Sequence, residues 1–113
     1  QNQAKENLIS RAEEKTGLLN SRFRRLTVRD TASRWGSCSP KGDLSFSWRI
    51  IMAPEYAFDY LVAHEVAHLR EMNHSRRFWA IVDDIADQPD RGRAWLRDHG
   101  ASLHRFGVDA RSI

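Results

Sequence analysis

The sequence lacks the features that cross-link a small protein covalently or anchor it in a membrane. Its 113 residues include a single cysteine, Cys38, so no disulfide can form within the chain, which fits a reducing compartment. No apolar run is long enough to cross a bilayer, and the polar first residues lack the apolar core of a signal peptide. These absences exclude disulfide-stapled and membrane-spanning proteins. We expect a cytoplasmic protein that is monomeric and has no membrane partner.

The excess of positive over negative charge is also small. Eighteen basic and fifteen acidic residues leave a net charge of +3, which is weak evidence for a nucleic-acid partner. The arginines do cluster, at 22–25, 76–77 and 91–97. No aromatic residues interleave with them as they do on surfaces that bind single strands. A solvated face is therefore expected, with binding to DNA as the open alternative.

The hydrophobic residues that are present follow the periods of helices and strands. Residues 4–17 have helical spacing, whereas 25–30 and 44–50 alternate between apolar and polar side chains as strands do. The stretch 33–43 is rich in turn-forming residues and is expected to connect the two strands as an antiparallel hairpin.

Helical patterns fill the second half of the chain. Pro54 can open a long helix that runs to about Asn73, a residue that accepts a left-handed helix end. Ser75 can cap a second helix, which Pro89 is expected to end before a last short helix. The order predicts an α+β fold in which a small antiparallel sheet packs on helices, within one domain spanning 1–113.

The stretch "HEVAHLREMNH", residues 64–74, carries the strongest chemical signal. On a helix, His64 and His68 lie on one face about 6 Å apart, so both imidazoles can approach one zinc ion. Glu65 is rotated by about 100° from His64, where it can hold a water instead of binding the metal. This H-E-x-x-H pattern is typical of zinc hydrolases. We predict a zinc cofactor, Glu65 as catalytic base and a peptide bond as the target.

Two residues compete as the third zinc ligand. Glu71 faces the same side as His64 but lies about 10 Å further along a straight helix, which makes joint ligation awkward. His74 follows the expected helix end, where the chain can fold back, and imidazole is a common zinc ligand. The preferred prediction is a metal site of His64, His68 and His74.

Other interpretations of the motif remain open. A chance match would face solvent, but Val62, Val66 and Leu69 make this helix apolar, and a buried histidine needs a partner. Cys38 could be a fourth ligand and make the zinc structural, although thiolate ligands usually occur in pairs. A third alternative is hydrolysis of non-peptide amides.

Several residues outside the motif have two interpretations. Arg34 could steady a substrate beside an exposed strand or form a surface ion pair. Trp35, Phe78 and Trp79 are expected in the core. Asp83 and Asp84 could orient a ligand histidine, but the surface is their preferred place. Two further histidines are expected at the surface: His99 and His104.

Three segments together resemble one known family. "RWGSCSPKGDLSFSW", "HEVAHLREMNHSRRFW" and "WLRDHG" are similar to segments of the YgjP-type zinc metallopeptidases, in the same order, over about residues 4–103. That family is related to the SprT and Wss-like proteases and to the minigluzincins. The metzincins are excluded, because Glu71 stands where they have glycine and no Met-turn follows.

The resemblance implies a specific site and a substrate class. It implies zinc ligands at His64, His68 and His74, with Glu65 as general base, and a small antiparallel sheet packed on a zincin-type active-site helix. It also implies a protein or peptide substrate. Because the SprT relatives act on proteins attached to DNA, a DNA-associated protease is the alternative function.

Overall fold

The computed structural model describes residues 2–30 and 34–99. Along the chain, one helix precedes the strands of a small sheet and the other helices follow them. The elements are α1 (Asn2–Leu19), β1 (Arg25–Arg29), β2 (Gly36–Cys38), β3 (Asp43–Ser47), a 3-10 helix (Trp48–Met52), α2 (Glu55–Ala67), α3 (Arg76–Ile85) and α4 (Pro89–His99). This order confirms the α+β class. None of the described helices combines the length and the apolar character that crossing a bilayer requires.

The sheet is mixed, with β3 in the centre and the strand order β1-β3-β2. β2 pairs with β3 antiparallel, so that Ser37 lies opposite Ser45. β1 pairs with β3 in parallel, so that Thr27 also lies beside Ser45. The predicted hairpin between 25–30 and 44–50 is therefore wrong. The stretch expected to be only a connection contains β2, whose three residues are too few to show the alternation of a strand.

Two predicted elements end earlier than their apolar patterns suggest. β3 stops at Ser47, whose hydroxyl accepts a hydrogen bond from the Arg49 backbone N–H at 3.3 Å and caps the 3-10 helix. α2 stops at Ala67 and does not reach Asn73. Beyond it, backbone bonds reach back three residues, as from the N–H of Leu69 to the carbonyl of Val66 at 2.9 Å. This tighter turn redirects the chain immediately after the H-E-x-x-H motif.

The start of α3 follows the sequence prediction, whereas its end does not. The Ser75 hydroxyl accepts a hydrogen bond from the Phe78 N–H at 3.2 Å, which confirms Ser75 as the N-terminal cap. α3 ends at Ile85, and Pro89 is the first residue of α4. Proline is well tolerated there because the first turn of a helix has N–H groups without helical partners.

α2 is the central element of the fold. Every residue from Ala57 to Ala67 is buried, because α1, α3, α4 and the edge strand β2 pack around this helix. A helix that is apolar on all sides is typical of a core position. His64 and Glu65 therefore lie inside the protein and need polar partners there.

A buried ion pair joins α1 to α2. Lys15 and Asp59 are each 1% exposed, and the Lys15 Nζ lies 2.7 Å from an Asp59 carboxylate oxygen. The ammonium also donates to the Ile85 carbonyl at the end of α3, at 2.6 Å. Asp59 further accepts from Arg11 and from the Asp87 N–H, both at 2.8 Å. This network ties α1 and the end of α3 to α2, the helix that carries the site.

Gly92 allows α4 to approach α2 closely. A Cβ atom at this position would lie 2.3 Å from the Tyr60 Cβ and 2.8 Å from the Tyr56 carbonyl oxygen. We expect Gly92→Ala to lower the free energy of unfolding by about 3 kcal/mol, because the helices must separate. Denaturant unfolding measures this change. Gly17→Ala is the matched control: a Cβ atom at Gly17 would have nothing within 4 Å, so this substitution should stabilise α1 slightly. Equal stability of both variants would contradict this account of the contact.

Candidate metal centre

Three histidine side chains converge at the end of α2. His64 lies in its last turn, His68 is its C-terminal cap, and His74 stands in the loop before α3. One potential ligand atom from each ring lies within 4.8 Å of the others. The ring centres are 5.1 Å apart for His64 and His68 and 4.8 Å apart for His68 and His74. The three side chains could therefore hold one metal ion.

The hydrogen bonding of His64 fits a metal site. The ring is 1% exposed, and its Nδ1 donates to a Glu65 carboxylate oxygen at 3.2 Å. Its Nε2 is buried and has no hydrogen-bond partner in the part of the chain that the structure describes. A buried polar atom without a partner is costly, and a metal ion would satisfy it. A set of three imidazoles suits a divalent transition metal, of which zinc is one.

A backbone contact sets the tautomer of His68. Its Nδ1 lies 3.0 Å from the Glu71 carbonyl oxygen. Because a carbonyl only accepts, Nδ1 carries the proton and Nε2 keeps a lone pair for a metal. Burial lowers the pKa of His68, while the charge of Glu65 opposes this shift. The ring is therefore held in the neutral form that binds metals.

Aromatic side chains of α3 pack against the histidines. Phe78 is fully buried and stacks on His68, with ring centres 4.3 Å apart and planes at 25°. Trp79 stacks on His74 at 5.6 Å and 23°. Phe78 lies in the core as the sequence predicted, whereas Trp79 is only partly buried and packs against the core. The contacts of both rings with the imidazoles are visible only in the structure. The Ser75 cap places them there by setting where α3 begins.

Glu65 lies between the histidines and the edge of the sheet. Its side chain is almost fully buried, and a Cβ atom at Gly36 would lie 3.3 Å from its Cγ. Gly36 is the first residue of β2, which is an edge strand of the sheet. Edge strands carry backbone groups that an extended peptide can pair with. The carboxylate is therefore next to a surface that suits a peptide.

The structure brings His74, and not Glu71, to the other two histidines. The Glu71 carboxylate accepts hydrogen bonds from the Ser75 hydroxyl at 3.3 Å and from Arg77 at 3.4 Å. Helix geometry alone could not decide whether Glu71 or His74 joins the other two histidines, because the answer depends on where α2 ends.

Cys38 is not part of the histidine cluster. Its thiol donates to the Ser39 carbonyl at 3.5 Å. Burial raises its pKa to about 12, and the charges of Glu65 and Asp43 add to that shift. The side chain is therefore a protonated thiol at neutral pH, and its sulfur does not converge with the three histidines. Across residues 2–30 and 34–99, no fourth His, Cys, Asp or Glu joins the cluster.

For most residues outside the motif, the structure supports the simpler of the two predicted roles, which is a place in the core or at the surface. Trp35 is buried and packs against Trp95, with ring centres 5.8 Å apart. Asp83 is exposed and pairs with Arg93 at 3.1 Å. Asp84 is exposed as well.

The remaining two predictions differ in outcome. Arg34 is exposed and lines a groove together with Arg29, but it forms no ion pair within the described ranges, so the surface-pair interpretation has no support there. His99 is exposed at the end of α4, as expected, and its Nδ1 donates to the Trp95 carbonyl at 2.9 Å. The prediction for His104 lies outside the described residues.

A contact of Tyr60 was missed by the sequence interpretation. Tyr60 is fully buried one helical turn before His64, and its hydroxyl accepts from the Arg93 Nε at 3.1 Å. Burial raises the pKa of Tyr60, while Arg93 opposes that shift. The same guanidinium lies over the Trp79 ring at 5.4 Å. Arg93 therefore connects α4 to Tyr60 and Trp79. No local sequence pattern indicated this contact.

Comparison with known proteins agrees with this geometry. The fold is similar to the crystal structure of the metallopeptidase zymogen of Pyrococcus abyssi abylysin, with a TM-score of 0.72 and 20% sequence identity over 88% of this chain and 97% of that chain. At this identity the likeness concerns the fold alone. No curated protein matches the sequence. The family of YgjP-like metallopeptidase domains matches residues 1–99. The chain therefore belongs to the YgjP-like metallopeptidase family and is a metal-dependent peptidase.

Proposed function

We propose that the chain is a zinc peptidase in which His64, His68 and His74 hold the metal and Glu65 is the general base. The observation that carries the proposal is the convergence of three imidazoles around the buried Nε2 of His64. A buried carboxylate lies directly beside them. Three neutral nitrogen ligands leave a position for water or substrate, as catalytic zinc sites require.

The proton transfers fall to Glu65. A bound zinc would supply a Lewis acid that acidifies water and polarises the carbonyl of the scissile amide. A Glu65 carboxylate oxygen accepts one proton from the attacking water as the new C–O bond forms. When the C–N bond breaks, the same oxygen returns that proton to the leaving amine nitrogen. The hydrogen bond from the His64 Nδ1, at 3.2 Å, orients the carboxylate for both transfers.

The substrate is held as an extended chain along β2 in this proposal. β2 is an edge strand, and its first residue, Gly36, lies against Glu65. Pairing with the backbone of β2 would place a substrate carbonyl near the histidines without requiring a deep cavity. An unfolded segment of a protein or a peptide meets this requirement, whereas a compact domain does not.

Metal removal tests the proposal. We expect purified protein to contain about one zinc per chain and to cleave an unfolded protein or an internally quenched peptide. Dialysis against a chelator should stop cleavage, and zinc should restore it, because Glu65 alone cannot activate water sufficiently. Metal analysis and cleavage of the same samples give the result. Undiminished cleavage by the metal-free protein would contradict the mechanism, and bound zinc without any cleavage would favour a structural metal.

A further inference from the structure

A positively charged pocket opens beside the metal centre. It has a volume of about 240 Å³ and lies between the turn that follows β2 and the chain that follows α2. His68 forms part of its wall. Three cationic side chains line it as well: Arg22, Lys41 and Arg70. A molecule in this pocket would therefore contact both a metal-site histidine and several positive charges.

The charges of this pocket are not balanced by the protein. Arg22, Lys41 and Arg70 are exposed, and none of them forms an ion pair with any residue that the structure describes. No described residue that lines the pocket is acidic. The two carboxylates nearby in the same chain segments are already engaged, Asp43 by Arg24 at 2.7 Å and Glu71 by Arg77 at 3.4 Å. The pocket is therefore ready to accept an anionic group from outside.

The rest of the pocket suits an amino-acid side chain. Leu69 and Met72 line it with apolar atoms, and Met72 is 43% exposed. Methylene groups of a glutamate could pack on these atoms while the carboxylate reaches the cations. A combination of aliphatic and cationic surface therefore favours an acidic side chain over a bare inorganic anion.

The position of the pocket relates it to the bond that is cleaved. Gly36 of β2 lies against Glu65, and Ser39, which follows β2, lines the pocket. An extended chain advances about 3.3 Å per residue, so the pocket lies about three residues along a peptide from the catalytic base. A peptide paired with β2 would thus place one side chain in the pocket.

We propose that this pocket is a specificity site that binds a glutamate or aspartate side chain of the peptide substrate, within about three residues of the scissile bond. The inference rests on the proposed function, since it assumes a peptide along β2. Because exposed ion pairs are weak, we expect a preference for Glu over Gln of roughly two- to fivefold in kcat/KM. Salt should weaken this preference by screening.

The first test compares peptides that differ in one residue. Internally quenched peptides carry Glu, Gln or Lys at each of the positions within about three residues of the cleaved bond. Wild-type protein should prefer Glu at one position, and Lys41→Glu or Arg70→Glu should abolish or reverse this preference. Lys5→Glu, on the exposed side of α1, is the control, because it changes the net charge as Lys41→Glu does and should keep the wild-type preference.

The second test measures binding without cleavage. Glu65→Gln protein loaded with zinc should bind the Glu peptide more tightly than the Gln peptide in fluorescence anisotropy, and Lys41→Glu in the same background should remove the difference. Peptides with amidated and with free C-termini separate the two sources of a carboxylate. A preference that follows only the free C-terminus would overturn the assignment to a side chain.

The outcomes separate the two proposals. Cleavage at equal rates for Glu and Gln peptides would overturn the specificity site and leave the peptidase intact. The wild-type protein could instead cleave no peptide and still bind the Glu peptide selectively, with this selectivity lost in Lys41→Glu. That result would support the pocket and reject the proposed peptidase mechanism. Lys41-dependent binding of a single-stranded oligonucleotide, without any preference for Glu, would overturn the inference in favour of nucleic acid.

Discussion

Glu65→Gln is expected to lower kcat for peptide hydrolysis by about 10²–10⁴-fold while the protein keeps its zinc. Glutamine has nearly the same shape as glutamate but cannot accept the proton of the attacking water. The Glu65 side chain is not among the three that converge as potential ligands, so the metal should stay bound. Cleavage of a quenched peptide and metal analysis on the same samples measure the two effects. Cleavage at the wild-type rate by this variant would rule out the mechanism.

Two further variants make this result specific. His68→Ala should lose both zinc and activity, because it removes one of the three imidazoles and leaves two. Glu71→Gln should keep both, since its carboxylate bonds to Ser75 and Arg77 and not to the histidine cluster. Circular dichroism shows whether each variant is folded. Loss of zinc in Glu71→Gln would restore the alternative third ligand that the sequence left open.

Asp59→Ala is expected to destabilise the protein more than any surface substitution. It would leave the Lys15 ammonium, 1% exposed, with only the exposed Asp87 carboxylate at 3.7 Å, and would remove the acceptor of Arg11 and of the Asp87 N–H. Removing one partner of a buried ion pair typically costs about 3–5 kcal/mol. For a domain of this size, that is a drop in Tm of roughly 15 °C or more.

A surface carboxylate provides the control for this prediction. Asp83→Ala removes the ion pair with Arg93, in which the Asp83 side chain is 55% exposed. Such pairs contribute about 0–1 kcal/mol, so the change in Tm should be small. Thermal unfolding of both variants gives the comparison. A similar and small loss of stability in the two would show that the Lys15 network does not hold the helices together.

The local geometry of the site could be predicted because it depends on short-range regularity. His64 and His68 are one helical turn apart in any α-helix, and their ring centres lie 5.1 Å apart in the structure. The cap at Ser75 was equally accessible, since it needs only a hydroxyl and an N–H three residues later. These features are determined within a few residues of chain.

The sheet could not be derived in the same way. Alternation in 25–30 and 44–50 indicates which side chains share a face, but it does not indicate which strands are neighbours. β2 lies between these segments in the chain, and β1 on the other edge pairs with β3 in parallel. Strand partners are chosen when the sheet packs on the helices, with β2 against α2 and β1 against α1, and no window of sequence contains these contacts.

The sequence by itself determined the α+β class, the helix that carries His64 and Glu65, and the cap that begins α3. These follow from periodicity and side-chain chemistry, which act over one or two turns of chain. The tertiary structure alone decided that α2 ends at Ala67, that Arg22, Lys41 and Arg70 meet beside His68, and that Lys15 reaches Asp59. The physical reason is that these contacts join segments far apart in the chain, where burial and charge pairing are resolved only when the elements pack.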